Sequence, residues 1–492
     1  MEPTPKPRSL AWAVSAMGGR LLAGAGAGEF AGASIDSRAV TPGRLFFAIK
    51  GDRVDGFDYC DVAAAKGAAA VVVDETRGVP AGVGNVAVIA VGDPKAALAD
   101  LARAVRGEFA GRVVGVTGSN GKTTTRELIA AALAGSTADG SAGPPVGRAG
   151  VLRTAGNFNT EIGMPLTMLE ASGREAFWVL EMAMRGRGEI ALLADIARPH
   201  VGLVTNVAAA HLGRLGSLEE IAKAKGEIYG GLAPDGIGVL PAGDPLLERE
   251  AAILPEARKR RFEVKVAPTP AQSVVDVRLL ELHAAGVAGS IVRLGVGDAP
   301  VVVRVPLPGV HNASNVAAAM AVVHALGLPA APAARALADV QLPAHRSQLI
   351  ERDGRLVLDD CYNANPASMA AALRTVAGAA PPEGRAFAVL GDMLELGDEQ
   401  EPLHAQIGRL CAELGYVGVV GIGPLAAHYV AGARAGGLAA DRVQHTEDPA
   451  EAAASIARWT RPGDWILVKA SRGLRLERVL DSMPAAFASA LR

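Results

Sequence analysis

Gly118-Ser119-Asn120-Gly121-Lys122-Thr123-Thr124 is the densest group of chemistry-bearing residues in the chain. Two glycines three apart let consecutive backbone N–H groups converge on phosphate oxygens, and a helix opening near Lys122 would add the positive end of its dipole. Lys122 can neutralise the outer phosphates of a nucleotide, and the Thr123 hydroxyl can ligate Mg²⁺. The string is the short form GxxGKT, because Val116 stands where the longer pattern has its first glycine. A glycine turn with a solvated lysine is the plain alternative. The apolar run Val113–Val116 before it and the helical stretch after it favour nucleotide binding.

Glu181 ends the apolar run Trp178–Leu180, and His211 follows the run Val201–Asn206. Each has a bland reading alone, as a strand end and a loop histidine. Together they sit where α/β sheets bind ligands, at strand carboxyl ends, and both are candidate metal ligands. Ser217-Leu218-Glu219-Glu220 reads as a capping box opening a helix. Lys223, four residues after Glu219, is accounted for by a surface pair. Lys225 points about 200° further round the helix and is harder to assign to decoration. Asp359-Asp360-Cys361-Tyr362-Asn363-Ala364-Asn365-Pro366 places two acids at another strand end, able to meet a ribose or a metal-bound water. The asparagines also suit a plain turn. Gly391-Asp392-Met393 and Lys469-Ala470-Ser471-Arg472 follow two further apolar runs, so three strand ends carry polar residues towards one edge.

The elements that must position these residues alternate. Apolar runs at Leu45–Ile49, Ala70–Val73 and Val86–Val91, with helices near Val62–Ala70 and Pro94–Arg106, predict a small α/β domain over 1–108. A central domain over 109–342 carries the glycine loop, with a Gly/Ser/Pro-rich insertion at Ser136–Gly150. Strands at Arg355–Asp360, Ala386–Gly391, Val417–Gly421 and Trp465–Lys469, separated by helical stretches, predict βαβ units in a third domain over 343–492. The fold class is α/β with mostly parallel sheets.

Composition agrees. The length of 492 residues suits about three domains. The net charge of −2 and 4% aromatic content disfavour a nucleic-acid binder. Cys60, Cys361 and Cys411 lack paired spacing, which disfavours a disulfide framework and fits the cytoplasm. Ser9–Gly19 reads as an amphipathic first helix, and Val316–Ala334 as a buried helix plus loop rather than a membrane span. Only ten lysines stand against 39 arginines, so each lysine is informative.

The chain resembles the Mur ligases. The resemblance is carried by TGSNGKTTT, AGNFNTEIGMPLTML (Ala155–Leu169), LEMAMRGRGEI (Leu180–Ile190), TNVAAAHL, GSLEEIAKAKGEI, PGVHNASNVAAA, DDCYNANPASM, VLGDMLELG and LVKASR, and by IDSRAVTPGRLFFAIKGDRVDGFDY near the start. It implies a UDP-sugar-binding N-terminal domain, a central P-loop ATPase domain and a C-terminal Rossmann-like domain. Within the family, DDCYNANPASM implies the member that adds D-alanyl-D-alanine to UDP-N-acetylmuramoyl-tripeptide. ATP would activate the tripeptide carboxylate as an acyl phosphate, with Mg²⁺, in cytoplasmic peptidoglycan precursor synthesis that serves cell shape and division. A monomer without nucleic-acid or membrane partners is expected.

The resemblance also implies roles. Gly118, Ser119, Asn120, Gly121, Lys122, Thr123 and Thr124 would contact phosphates. Thr123 and Glu181 would hold one Mg²⁺, and His211 with a carbamylated Lys225 a second. Asn157 would lie beside the nucleotide loop, Arg346 near the γ-phosphate and Asp360 near the ribose. Asn312 and Asn315 would be nucleotide-side or packing residues, and Ser37 and Arg38 would face the UDP. Pro241 and Gly243 depart from the family's asparagine and acid near adenine, and DGFDY departs from DGHDF. Two other readings are an amide ligase of the folylpolyglutamate synthase type and a P-loop nucleotide-binding module without ligase activity. The DDCYNANPASM string and the N-terminal segment argue against the first, and motif residues in all three domains against the second.

Overall fold

The structure is a computed structural model and describes residues 4–138, 150–208, 215–263, 275–380 and 384–483. It forms two compact units, one of Met1–Thr117, Gly140–Gly202 and Glu227–Ile237, the other of Gly118–Asp139, Leu203–Gly226 and Gly238–Arg492.

In the first unit the apolar runs become a five-stranded sheet in the order Arg20–Ala23, Ala87–Val91, Ala70–Asp74, Leu45–Phe47, Ala33–Ser34. All pairs but the first are parallel. The helix Pro94–Glu108 starts where Asp93 accepts from the Lys95 N–H and proline supplies a first-turn φ. The helix expected over 62–70 is Cys60–Ala65, ended by Gly67 at φ +84°. Strand Phe177–Glu181 pairs in parallel with both Arg112–Thr117 and Val151–Arg153. Trp178 stacks on Phe109 with ring centroids 4.0 Å apart, and Arg44 pairs with Glu170.

In the second unit the glycine loop feeds helix Lys122–Ala138, which packs on helices Val310–Ala325 and Ala330–Ala336. Ser136 and Thr137 thus belong to that helix rather than to an insertion; residues 139–149 lie outside the described ones. The Val316–Ala334 stretch is two helices parted at Gly327–Pro329, and among the described residues no helix is long and apolar enough to cross a membrane. Strand Lys259–Glu263 pairs in parallel with Val277–Ala284, which continues antiparallel into Ser290–Val296 and Ala299–Val305, a meander the apolar runs did not announce.

A six-stranded sheet follows, in the order Gln348–Arg352, Arg355–Asp359, Trp465–Lys469, Ala386–Gly391, Gly418–Ile422, Val443–Thr446, parallel after its first pair. Met369, Leu373, Ile407 and Tyr429 cover one face, and Ile456, Trp459, Val479 and Leu480 the other. Strand Trp465–Lys469 returns between the first two parallel strands. Its end therefore stands beside Asp359 and Gly391, with following segments leaving to opposite faces, the arrangement that opens a crevice in α/β sheets.

Candidate active site

The glycine loop is shaped by what presses on it. Gly118 has φ +146°, and a Cβ there would lie 1.9 Å from Thr205 Oγ1. Gly121 has φ +76°, and its Cβ would lie 2.4 Å from Asn315 Oδ1. Only glycine fits both the backbone and the space. Asn206 Oδ1 accepts from the Asn120 N–H at 3.0 Å, and Thr205 Oγ1 donates to the Asn120 carbonyl at 2.6 Å. Ser119 N–H donates to the Asn206 carbonyl at 3.0 Å. Asn365 Nδ2 donates to Asn120 Oδ1 at 2.6 Å. Lys122 Nζ donates to the Gly118 carbonyl at 2.7 Å, which keeps its charge over the loop. Ser119, Thr123 and Thr124 are buried.

Asn312 and Asn315 act on the loop through packing. Asn315 Oδ1 accepts from Thr125 Oγ1 at 3.2 Å, its Nδ2 donates to Asn312 Oδ1 at 3.1 Å, and Asn312 Nδ2 donates to the Pro308 carbonyl at 2.8 Å. The same helical turn has a second face. His311 and Ser314 line a cavity of about 680 Å³ with Pro241, Ala242, Phe262 and Thr375. His311 Nδ1 lies 3.2 Å from Thr375 Oγ1, and burial lowers its pKa to about 4, so the ring is neutral at pH 7. Gly243 makes a turn at φ +73°, and Asp244 caps helix Pro245–Glu250 by accepting from Leu246 and Leu247 N–H. That acid is committed to the helix.

Glu181 is buried in the first unit, where Asn159 Nδ2 donates to its Oε1 at 2.8 Å and Thr154 Oγ1 accepts from its N–H. The asparagine that meets Glu181 is thus Asn159; Asn157 is exposed. Lys225 is 2% exposed, and burial, then the like charge of Lys122, lowers its pKa well below the usual ammonium value. Lys223 pairs with Glu220 at 2.6 Å, not with Glu219 as the four-residue spacing suggested; the three-residue step reaches as well. His211 lies outside the described residues. Ser37 is buried, and Arg38 is exposed and paired with Asp36 at 2.8 Å.

At the edge of the six-stranded sheet, the Asp360 carboxylate meets Lys469 Nζ and accepts from the Ser347 N–H at 3.0 Å. Lys469 also donates to the Asn363 carbonyl at 3.0 Å. Arg346 lies with its guanidinium carbon 3.9 Å from the Tyr362 ring centroid, and its buried Nε has no hydrogen-bond partner among the described residues. Asp392 is buried, which raises its carboxyl pKa. Residue types alone did not reveal Thr205, Asn206 and Asn159, whose roles depend on strands far away in sequence. Asn365, read as a turn former, caps helix Pro366–Ala379 and also holds Asn120.

Three family models match the chain in series: the Mur ligase family catalytic domain over 29–106, the Mur ligase middle domain over 116–323, and the Mur ligase glutamate ligase domain over 345–472. The UDP-N-acetylmuramoyl-tripeptide–D-alanyl-D-alanine ligase of Bacillus subtilis is 35% identical over 453 residues, 92% of this chain and 93% of that protein. The crystal structure of MurF from Acinetobacter baumannii superposes with a TM-score of 0.83 at 27% identity, covering 98% of this chain and 99% of that one. MurF ligase from Thermotoga maritima in complex with ADP gives 0.78 at 30% identity, over 94% and 99%. The three-domain α/β architecture is shared with these structures.

Proposed function

The chain belongs to the Mur ligase family, and on that premise we propose a reading of its reaction and site. The protein is an ATP-dependent ligase that joins D-alanyl-D-alanine to UDP-N-acetylmuramoyl-tripeptide in peptidoglycan precursor synthesis. The tripeptide's terminal carboxylate attacks the γ-phosphorus of ATP, and ADP leaves. The neutral amine of the dipeptide then attacks the acyl carbon, and phosphate and one proton are released. Three domains divide the work: 1–108 for the UDP-sugar, 109–342 for ATP and 343–492 for closing the site. The protein works in the cytoplasm as a monomer.

One observation carries the nucleotide reading. The first two turns of helix Val310–Ala325 press Asn315 on Gly121 and turn His311 and Ser314 into the cavity. Phosphates cradled by Gly118–Thr124 would leave the base in that cavity, held by shape and by neutral His311. Pro241, standing for the family's asparagine, fits a base held by apolar contact. Arg346 would face the γ-phosphate and Asp360 the ribose, with Asn157 beside the loop. Ser37 and Arg38 would face the UDP.

The Thr123 hydroxyl and the Glu181 carboxylate are each a hard oxygen donor of the kind Mg²⁺ takes, and the family resemblance would assign both to one ion. His211 and Lys225 would hold a second ion. Lys225 fits only if altered, since an ammonium repels a cation. Burial that favours its neutral form suits reaction of the amine with CO₂ to an anionic carbamate with loss of a proton. Mg²⁺ supplies charge neutralisation when bound. Lys122 screens the phosphate charge that a carboxylate nucleophile must approach.

Purified protein given ATP, Mg²⁺, UDP-N-acetylmuramoyl-tripeptide and D-alanyl-D-alanine tests this directly, with pentapeptide and phosphate both followed. Equimolar products that need the dipeptide are expected. A folded protein that forms no pentapeptide, or releases phosphate whether or not the dipeptide is present, sinks the reading.

A further inference from the structure

Three side chains with different donor atoms meet where the chain enters the six-stranded sheet. His345 Nδ1 lies 2.8 Å from Asp359 Oδ2, and Cys361 Sγ lies 3.0 Å from Asp359 Oδ1. The three donor atoms all fall within 4.8 Å of one another. Asp359 and Cys361 are buried, while the His345 side chain is 27% exposed and gives the cluster a way to solvent. Asp359 and Cys361 are two apart at a strand end, so alternation puts them on one side. His345 reaches them from another segment at φ +65°, held by its N–H donating to Gln348 Oε1 at 3.0 Å and its carbonyl accepting from Tyr362 N–H at 3.0 Å. A further carboxylate stands near: the charge of Glu477 acts on Cys361, and its buried Oε2 has no hydrogen-bond partner among the described residues.

We propose that His345, Asp359 and Cys361 bind a borderline-soft divalent cation such as Zn²⁺, leaving a fourth position for water or the Glu477 oxygen. Imidazole, thiolate and carboxylate together select Zn²⁺ over Mg²⁺, which takes oxygen donors. Zinc bonds of about 2.0–2.3 Å put tetrahedral ligands roughly 3.5 Å apart, so the two contacts to Asp359 lengthen by about half an ångström on binding. Binding exchanges the Cys361 S–H bond for a metal–sulfur bond and releases one proton to solvent. The His345 proton moves from Nδ1, where it bonds Asp359 Oδ2, to Nε2 as Nδ1 takes the metal, and Asp359 exchanges its two side-chain hydrogen bonds for a metal bond. The cation would pin the segment that carries Arg346, and this site stands apart from the ligase reading.

Co²⁺ titration of the full chain tests the proposal, because cobalt reports a thiolate ligand by a charge-transfer band. The expected result is a band that saturates at one equivalent, is displaced by Zn²⁺, and accompanies a Zn²⁺-dependent rise in thermal midpoint. Cys361→Ser keeps a hydrogen-bond donor for Asp359 but no thiolate, and is expected to lose both band and rise. His345→Ala, at the part-exposed position, is expected to weaken Zn²⁺ binding at least about tenfold. The proposal is overturned by a wild-type chain without the band, by a band that survives Cys361→Ser, or by unchanged Zn²⁺ affinity in His345→Ala. Those results would leave the three residues as a hydrogen-bonded rivet.

Discussion

Lys225 and Lys469 are each 2% exposed, yet their surroundings treat the amine in opposite ways. Lys469 meets the Asp360 carboxylate and donates to the Asn363 carbonyl, so its charge is matched where two strand ends adjoin. Lys225, on helix Leu218–Gly230, is acted on by burial and by the like charge of Lys122, and both drive it towards the neutral form. Equal burial therefore does not decide a lysine's charge; the partner does. The pair also explains two of the ten lysines in an arginine-biased chain. Arginine cannot be deprotonated in a protein, so a site needing a free amine must keep lysine.

The contrast can be broken most forcefully at Lys225. Lys225→Met is expected to cut turnover about a thousandfold or more, the scale of losing a principal electrostatic group. Added bicarbonate is not expected to restore it, and the thermal midpoint should hold or rise, because an apolar side chain replaces a buried ionisable amine. Pentapeptide synthesis at the wild-type rate would remove Lys225 from the chemistry. Lys469→Met is expected to cost about 3 kcal/mol in denaturant unfolding, because Asp360 loses its partner. Asp360→Asn in the same chain should recover part of that loss; a purely additive double variant would show that the two charges are not coupled.

A smaller effect is expected in the loop itself. Gly121→Ala meets Asn315 Oδ1 and a backbone at φ +76°, and should cost about 1–3 kcal/mol with weakened ATP binding. Combining it with Asn315→Ala relieves the clash but not the backbone strain, so calorimetry should find partial recovery. The smallest effect concerns pH. His311 has its pKa lowered by burial from 6.5 to about 4, so the unfolded chain binds its proton first. Its contribution to stability is fully present above about pH 6.5, falls as pH drops towards 4, and changes no further below that. His311→Gln should flatten this part of the stability curve. Half-buried His200, also lowered to about 4, would keep some slope in place. An unchanged curve would mean that His311 is not held neutral by the fold.

Much of the site was legible because its chemistry is local. Gly118–Thr124 announces a phosphate cradle through a strand, two glycines and a helix start, all contiguous in the chain. The polar strand ends at Asp360, Asp392 and Lys469 pointed to one edge of a parallel sheet, and they stand there. The partners were not legible. Asn206, Asn315 and Asn365 lie in strings that carry the family resemblance, but no spacing says what they touch, and each meets the loop only because the chain returns to it. Lys223 shows the same limit at short range, since helical spacing allowed either glutamate and packing selected Glu220.

The α/β class, the family, the glycine loop and the lysines worth testing can all be read from the amino-acid order, because periodicity, glycine placement and motif spacing act over a few residues. Packing of remote segments sets which amine burial pushes towards neutrality, which asparagine shapes the loop and which meets Glu181, and that His345 reaches Asp359 and Cys361. Those outcomes depend on desolvation and on distances of a few ångströms between segments remote in the chain, which no local pattern encodes.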